Sequence, residues 1–112
     1  MQDLMMELTK MKSELRQAMG NLRKNGDTLA QAEHDYQVKK AQVWRTPKAD
    51  GWTATDLNAT IKGQPEVAEA LFVRDTAKVL YESNQEYINV VKLEIKVLEN
   101  QIRREWGADG TA

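Results

Sequence analysis

The first candidate for catalysis or metal binding is the single histidine. His34 lies between Glu33 and Asp35. On a helix three consecutive side chains point in different directions, so these three residues cannot converge on one metal ion. A di-iron helical bundle would need Glu-x-x-His pairs, and the sequence contains none. We therefore interpret His34 as a solvated surface residue.

The remaining reactive residue types also lack a catalytic pattern. Ser13 and Ser83 have no nucleophile motif around them, and Glu82 and Glu86 have the one-turn spacing of a solvated helix face. The turn 63–65 has neither the spacing nor the lysine of a phosphate-binding loop. The absence of cysteine excludes thiolate ligands and cysteine nucleophiles. The sequence predicts a protein that is not an enzyme and uses no cofactor or metal.

Two apolar stripes with a seven-residue period flank a central region that contains glycine and proline. The first stripe consists of Leu8, Leu15, Leu22, Leu29, Tyr36 and Val43, with Leu4, Met11, Ala18, Asn25, Ala32 and Lys39 at the second core position. The second stripe consists of Val67, Arg74, Tyr81, Ile88, Ile95 and Ile102, with Ala70, Ala77, Asn84, Val91 and Leu98 between them. Such heptads are typical of helices that pack along their length. They predict an all-α fold, an antiparallel coiled-coil-like hairpin of two long helices.

Proline and glycine set the expected boundaries within a single domain, 1–112. We expect a helix over about 3–44 before Pro47, a connection with a short helix over 45–64, a helix over about 65–106 that begins at Pro65 and ends before Gly107, and a frayed tail over 107–112. Asn25-Gly26 is a turn dipeptide that could interrupt the first helix. The heptad phase continues unshifted across it, which favours one continuous helix.

Polar residues within the stripes bear on the pairing of the helices. Asn25 and Asn84 could form a polar layer that fixes register or oligomeric state, or could tolerate exposure at a helix flaw. Arg74 could stack on Tyr36 or pair with an acidic residue across the interface. One register places Asn25 opposite Tyr81, and a slip of one heptad is also compatible with the pattern.

The helices carry more apolar side chains than one partner helix can cover. Those outside the main stripes are Met5, Met6, Met19, Val38, Leu71, Phe72, Val73, Leu80, Tyr87, Val90 and Val97. A two-helix hairpin buries little core for its length. We therefore expect a homo-oligomer, most simply a two-fold dimer that forms a four-helix bundle and involves Leu80 and Tyr87.

The charge is close to neutral overall but uneven along the chain. The net charge is −1, which excludes nucleic-acid binding through bulk positive charge alone. Residues 1–48 have nine basic and six acidic side chains, and residues 49–112 have seven and eleven. The opposite charges could help the helices pair, or the basic side chains could contact nucleic acid. The candidates for that contact are Arg16, Arg23, Lys24, Lys39 and Lys40.

Aromatic and basic residues cluster at the connection. Trp44 and Trp52 flank it, with Arg45, Lys48 and Lys62 nearby. The tryptophans could bury the short helix against the long ones, could bind a protein partner, or could stack on nucleic acid beside the basic residues. We take these five residues as the candidate partner-binding surface.

Part of the sequence resembles small helical proteins carried by phages and prophages of low-GC Gram-positive bacteria. The resemblance covers roughly residues 28–107 and rests on the run from Ala54 to Ala70, on Tyr81, on Tyr87-Ile88-Asn89 and on the run from Gln101 to Gly107. It implies a role near phage DNA replication or recombination, in the cytoplasm of the bacterial host. It transfers no functional residues. The chain also has no apolar run long enough to span a membrane, and we expect no membrane association.

The leading hypothesis is a non-enzymatic interaction protein, an accessory factor of a phage or prophage that binds a protein partner. One alternative is a nucleic-acid-binding or DNA-end-protecting hairpin, by architectural analogy with nuclease-inhibiting helical hairpins of phages. Another is a component of virion assembly.

Overall fold

Two long helices account for most of the chain. The computed structural model describes residues 2–48 and 60–110, and for 44–48 and 108–110 it describes the backbone alone. Helix α1 spans Gln2–Lys48 and helix α2 spans Pro65–Gly110. Residues 60–63 form a helical segment just before α2, and no strand is present within the described ranges. The predicted fold class, an all-α hairpin of long helices with a short helix between them, is confirmed.

Helix α1 is continuous through the predicted weak point. Asn25 and Gly26 lie within Gln2–Lys48, and the backbone of Gly26 is not in the left-handed region that a turn would require. The predicted end at Trp44 was wrong, because the helix continues to Lys48 and includes Pro47. Pro47 has no N–H to donate, and because only Lys48 follows it in α1, a local distortion there affects the last turn alone.

The start of α2 agrees with the role predicted for Pro65. The Gln64 amide donates to the Ile61 carbonyl at 3.1 Å, which closes the short helical segment, and the Ala68 amide donates to the Gln64 carbonyl at 2.8 Å. Gln64 is therefore the residue that caps α2. Pro65 follows as the first helical residue, where its missing N–H would have no partner in any case.

The C-terminal boundary of α2 differs from the prediction. The helix does not end before Gly107, and residues 107–110 are helical rather than frayed. Glycine in a helix costs about 1 kcal/mol relative to alanine, and this cost weakens the helix locally but does not end it. Residues 111–112, the rest of the predicted tail, lie outside the described residues.

The chain divides into two compact units, each of which contains part of both long helices. The first, Met1–Lys24 with Glu82–Ala112, we call the terminal unit. Its buried cluster consists of Leu8, Val91, Ile95 and Leu98, with Leu4, Met11, Leu15 and Ile102 packed against it. Both predicted stripes contribute to this core, since Leu8 and Leu15 come from the first and Val91, Ile95 and Leu98 from the second.

The second unit, Asn25–Tyr81, we call the central unit. Tyr36, Ile61 and Val67 form its buried cluster, and neither Ile61 nor Val67 exposes any surface. Ile61 thus docks the short helical segment onto both long helices. Full burial of one such aliphatic side chain contributes about 1.5–3 kcal/mol. Leu71, expected among the surplus apolar residues, instead packs half-buried against this cluster.

No helix within the described ranges is long and apolar enough to cross a membrane.

Candidate interaction surfaces

An apolar groove runs along the terminal unit. It encloses about 430 Å³ and is lined by Glu7, Met11, Val90, Leu93, Glu94, Val97, Leu98 and Gln101. We call it the terminal groove. Leu98 is buried in the core, while Val90, Leu93 and Val97 are 41%, 64% and 63% exposed. A cluster of apolar side chains that is exposed above a packed core is typical of an interaction surface.

The charges on the terminal groove have one sign. Glu7 and Glu94 are the charged residues that line it, and both are exposed carboxylates from opposite helices. Met11 and Gln101 complete the rim without adding charge. The groove therefore combines an apolar floor with an acidic border.

The central unit has a groove of different character. Its lining contains the apolar side chains of Ala32, Val38, Ala70 and Val73, the acidic residues Asp35, Glu66 and Glu69, and also His34, Lys39 and Gln42. Both charge signs occur, but three acidic residues stand against one lysine, so the lining of this groove also has a net negative charge. Val38 and Val73 are exposed here, as expected for residues outside the stripes.

Arg74 occupies a core position of the second stripe and makes both predicted types of contact. Its Nη1 donates to Glu33 Oε2 at 2.7 Å, its Nε donates to Asp75 Oδ1 at 2.7 Å, and its guanidinium carbon lies 5.1 Å from the centre of the Tyr36 ring. The hydrogen bond to Glu33 is the main cause that raises the pKa of Arg74. Gln37 and then Arg74 donate the hydrogen bonds that lower the pKa of Glu33. These contacts satisfy the charge of Arg74 at the helix interface, and we interpret the cluster as structural.

The residues considered for catalysis are not gathered into a site. His34 is exposed on the lining of the central groove. Glu82 and Glu86 are exposed beside Lys92 in a shallow depression of the terminal unit. Among the described residues, no three His, Cys, Asp or Glu side chains are placed to hold a metal ion.

The residues predicted to set register and oligomeric state fall into two groups. Asn84 is half-buried and its Nδ2 donates to the backbone carbonyl of Ala18 at 3.2 Å. Asn25 is also half-buried. In contrast, Leu80 in the central unit and Tyr87 in the terminal unit are 53% and 48% exposed. The asparagines thus lie at the helix interface, and Leu80 and Tyr87 remain available to a second molecule.

The basic candidates for nucleic-acid contact are divided between the units. Arg16, Arg23 and Lys24 are exposed on α1 in the terminal unit. Lys39 is exposed in the central unit, whereas the Lys40 ammonium group lies 5.9 Å from the centre of the Tyr36 ring. Lys40 therefore has a structural contact of its own.

The predicted partner-binding surface at the connection lies mostly outside the described residues. This applies to Trp52 and to the side chains of Trp44, Arg45 and Lys48. Lys62 is described and exposed.

Sequence reasoning missed the terminal groove as a site, although it identified Val90 and Val97 as surplus apolar residues. Leu93 was not included among those residues, although it lies three residues after Val90 and four before Val97. That spacing places the three side chains on one helix face, away from the heptad core positions. The contribution of Glu7 from α1 depends on the tertiary pairing and has no local sequence signal.

Comparison of the chain with protein-family models, curated proteins and solved structures gives no match.

Proposed function

We propose that this protein is a non-enzymatic interaction protein that self-associates and binds a protein partner as an accessory factor in the DNA replication or recombination of a phage or prophage. The observation that carries the proposal is the exposed apolar surface of α2. In the terminal unit it comprises Tyr87, Val90, Leu93 and Val97, each at least 41% exposed. The phage context rests on the sequence resemblance alone.

Exposed apolar clusters favour association because water is released when a partner covers them. Full burial of one Val, Leu or Phe side chain is worth about 1.5–3 kcal/mol. Phe72 and Val79 in the central unit are 66% and 63% exposed, so this unit also has apolar surface to cover. Single exposed apolar residues need no explanation, but contiguous ones mark interfaces.

Self-association through Leu80 and Tyr87 is the part of the proposal that is simplest to test. The two residues lie seven apart on α2 and share one face of the helix. In a two-fold dimer, the surface that contains both residues would pack against the identical surface of a second copy. The surrounding α2 surface includes Val73, which is 47% exposed and also seven residues from Leu80.

Sedimentation equilibrium of the full chain at micromolar concentration tests the self-association. We expect the wild type to be a dimer and the double variant Leu80→Glu/Tyr87→Glu to be a monomer. Gln85→Glu/Asn89→Glu adds the same two negative charges at exposed positions on another side of α2 and is the matched control, which should remain dimeric. A wild-type chain that is strictly monomeric would contradict the proposed self-association, and large assemblies would favour a virion-assembly role instead.

A nucleic-acid-binding function is the second candidate, favoured by the exposure of Arg16, Arg23 and Lys24 on α1. Binding of single- and double-stranded DNA should be measured as a function of salt. This candidate predicts affinity that falls steeply with salt and is lost in the Arg16→Gln/Arg23→Gln/Lys24→Gln variant, but not in Lys92→Gln/Lys96→Gln. Non-specific DNA binders reach dissociation constants of about 1–100 μM, so weaker binding at low salt would exclude this candidate.

A further inference from the structure

We propose that the terminal groove binds an amphipathic helix of a protein partner, and that this helix carries lysine or arginine beside its apolar face. The inference rests on the proposed function, since it names the chemistry of the partner that an interaction protein of this kind would bind. It concerns the terminal unit alone.

The spacing of the lining residues fits a helical ligand. Val90, Leu93, Val97 and Gln101 of α2 follow one another at intervals of three and four residues, so they form one continuous face. From Val90 to Gln101 this face extends over about 16 Å of helix, at 1.5 Å per residue. A ligand helix of about three turns would match that length and could place apolar side chains at i, i+3 or i+4, and i+7 along the groove.

The floor of the groove is anchored in the core of the unit. Leu98, at the base, is only 6% exposed and packs with Leu8, Val91 and Ile95. Leu93 and Val97 line the same groove and are almost two-thirds exposed. The apolar contact surface is thus held by buried neighbours, and a ligand would cover it without displacing core residues.

The charges decide which helix would bind. Glu7 on α1 and Glu94 on α2 each add a carboxylate to the lining, and none of the described residues that line the groove is basic. A helix with flanking lysine or arginine would gain attraction on both borders. A second copy bound to this groove about a two-fold axis would bring the same acidic borders together, and like charges oppose such pairing. The groove is therefore better suited to a basic partner than to a second copy of this chain.

The test uses full-length protein and two fluorescein-labelled peptides of about 15 residues, long enough for three to four helical turns. Both peptides carry leucine at i, i+3, i+7 and i+10. One has lysine at the positions that flank the leucines, and the other has glutamate there. By fluorescence anisotropy at low salt, we expect the lysine peptide to bind about tenfold more tightly, because two exposed charge pairs change from repulsive to attractive.

Variants assign that binding to the groove. Val97→Asp should weaken binding of the lysine peptide at least tenfold, since it places a charge on the apolar contact surface. Val79→Asp is the matched control, because Val79 is also 63% exposed but lies in the central unit, and it should bind the peptide as the wild type does. Glu94→Lys should reduce or reverse the preference between the two peptides. Circular dichroism checks that each variant keeps its helix content, and Leu93→Asp replaces Val97→Asp should that variant unfold.

Three results would overturn the inference. Equal affinity for both peptides would remove the role of the acidic borders. Equal loss of binding in Val97→Asp and Val79→Asp would place the contact outside the groove. Sedimentation in which Val97→Asp abolishes self-association, together with unchanged peptide binding, would show a second copy in the groove. The proposed self-association fails separately, through a monomeric wild type, and that result leaves the peptide measurements unaffected.

Discussion

The Nη1 atom of Arg74 lies 2.7 Å from the Oε2 atom of Glu33, and this ion pair joins the two long helices of the central unit. The arginine occupies a heptad position that is normally apolar, yet its side chain is 26% exposed and rests on the Tyr36 ring. Its aliphatic portion can therefore cover core residues while its charge reaches an acidic partner at the edge. Gln37 supports the same carboxylate, because its Nε2 donates to Glu33 Oε1 at 2.9 Å.

This arrangement predicts that Glu33 makes the free energy of unfolding depend on pH. Hydrogen bonds from Gln37 and Arg74 lower the pKa of Glu33 from its ordinary value of 4.5. A carboxyl whose pKa is lower in the folded state stabilises that state fully above the unfolded pKa, and loses this effect as the pH falls through the folded pKa. Glu33→Gln should therefore reduce the urea midpoint at neutral pH and have no effect at a pH below the lowered pKa.

Urea denaturation at a series of pH values measures the difference in stability between the wild type and Glu33→Gln. Glu86→Gln removes an exposed glutamate of the terminal unit and is the control for loss of one negative charge. A destabilisation by Glu33→Gln that is the same at every pH would contradict the role assigned to this carboxylate.

Two glycines in α1 allow a matched test of local packing. Both have helical surroundings, but a Cβ atom at Gly20 would meet nothing within 4 Å, whereas one at Gly26 would lie 3.3 Å from the Tyr81 Cε2 atom. Alanine is favoured over glycine in a helix by about 1 kcal/mol. We expect Gly20→Ala to raise the free energy of unfolding by about that amount, and Gly26→Ala to gain less because the Tyr81 ring must shift.

Urea denaturation of the two variants separates these effects, because helix propensity is common to both. Tyr81→Ala removes the ring. In that background, Gly26→Ala should raise the free energy of unfolding by an amount closer to the increase that Gly20→Ala produces, when each variant is compared with the protein that has glycine at the same position. An equal or larger gain at Gly26 in the wild-type background would show that the Tyr81 ring does not resist the added methyl group.

Asn84 offers a test of polar residues as determinants of pairing. Its amide donates to the Ala18 carbonyl at 3.2 Å from a core position of the second stripe. A polar residue at a single core position can specify register and oligomeric state at a cost in stability. Asn84→Leu should therefore raise the urea midpoint and broaden the distribution of oligomeric states seen by sedimentation velocity. Asn89→Leu, at an exposed position of the same helix, is the control for added hydrophobicity; a single unchanged species in Asn84→Leu would remove Asn84 as a determinant of specificity.

Most of the fold was predictable because helix formation and helix pairing leave periodic traces in the sequence. The heptads predicted the buried positions Leu8, Val91 and Leu98, and the position of Pro65 predicted where α2 begins. The unshifted heptad phase also predicted that α1 continues through Gly26. The C-terminal ends of the helices were less predictable, because α1 continues through Pro47 and α2 through Gly107. A local preference of a few kcal/mol or less does not outweigh the hydrogen bonds of a long helix.

The sequence by itself determined the two helices, their apolar faces and the excess of apolar side chains on α2, because each depends on residues that are three, four or seven positions apart. Only the tertiary structure decided that Glu33 is the partner of Arg74, that Ile61 is fully buried with Tyr36 and Val67, and that Glu7 faces the groove beside Glu94. These pairs join residues that are distant along the chain. Their contacts follow from how the helix surfaces fit together, which no local spacing encodes.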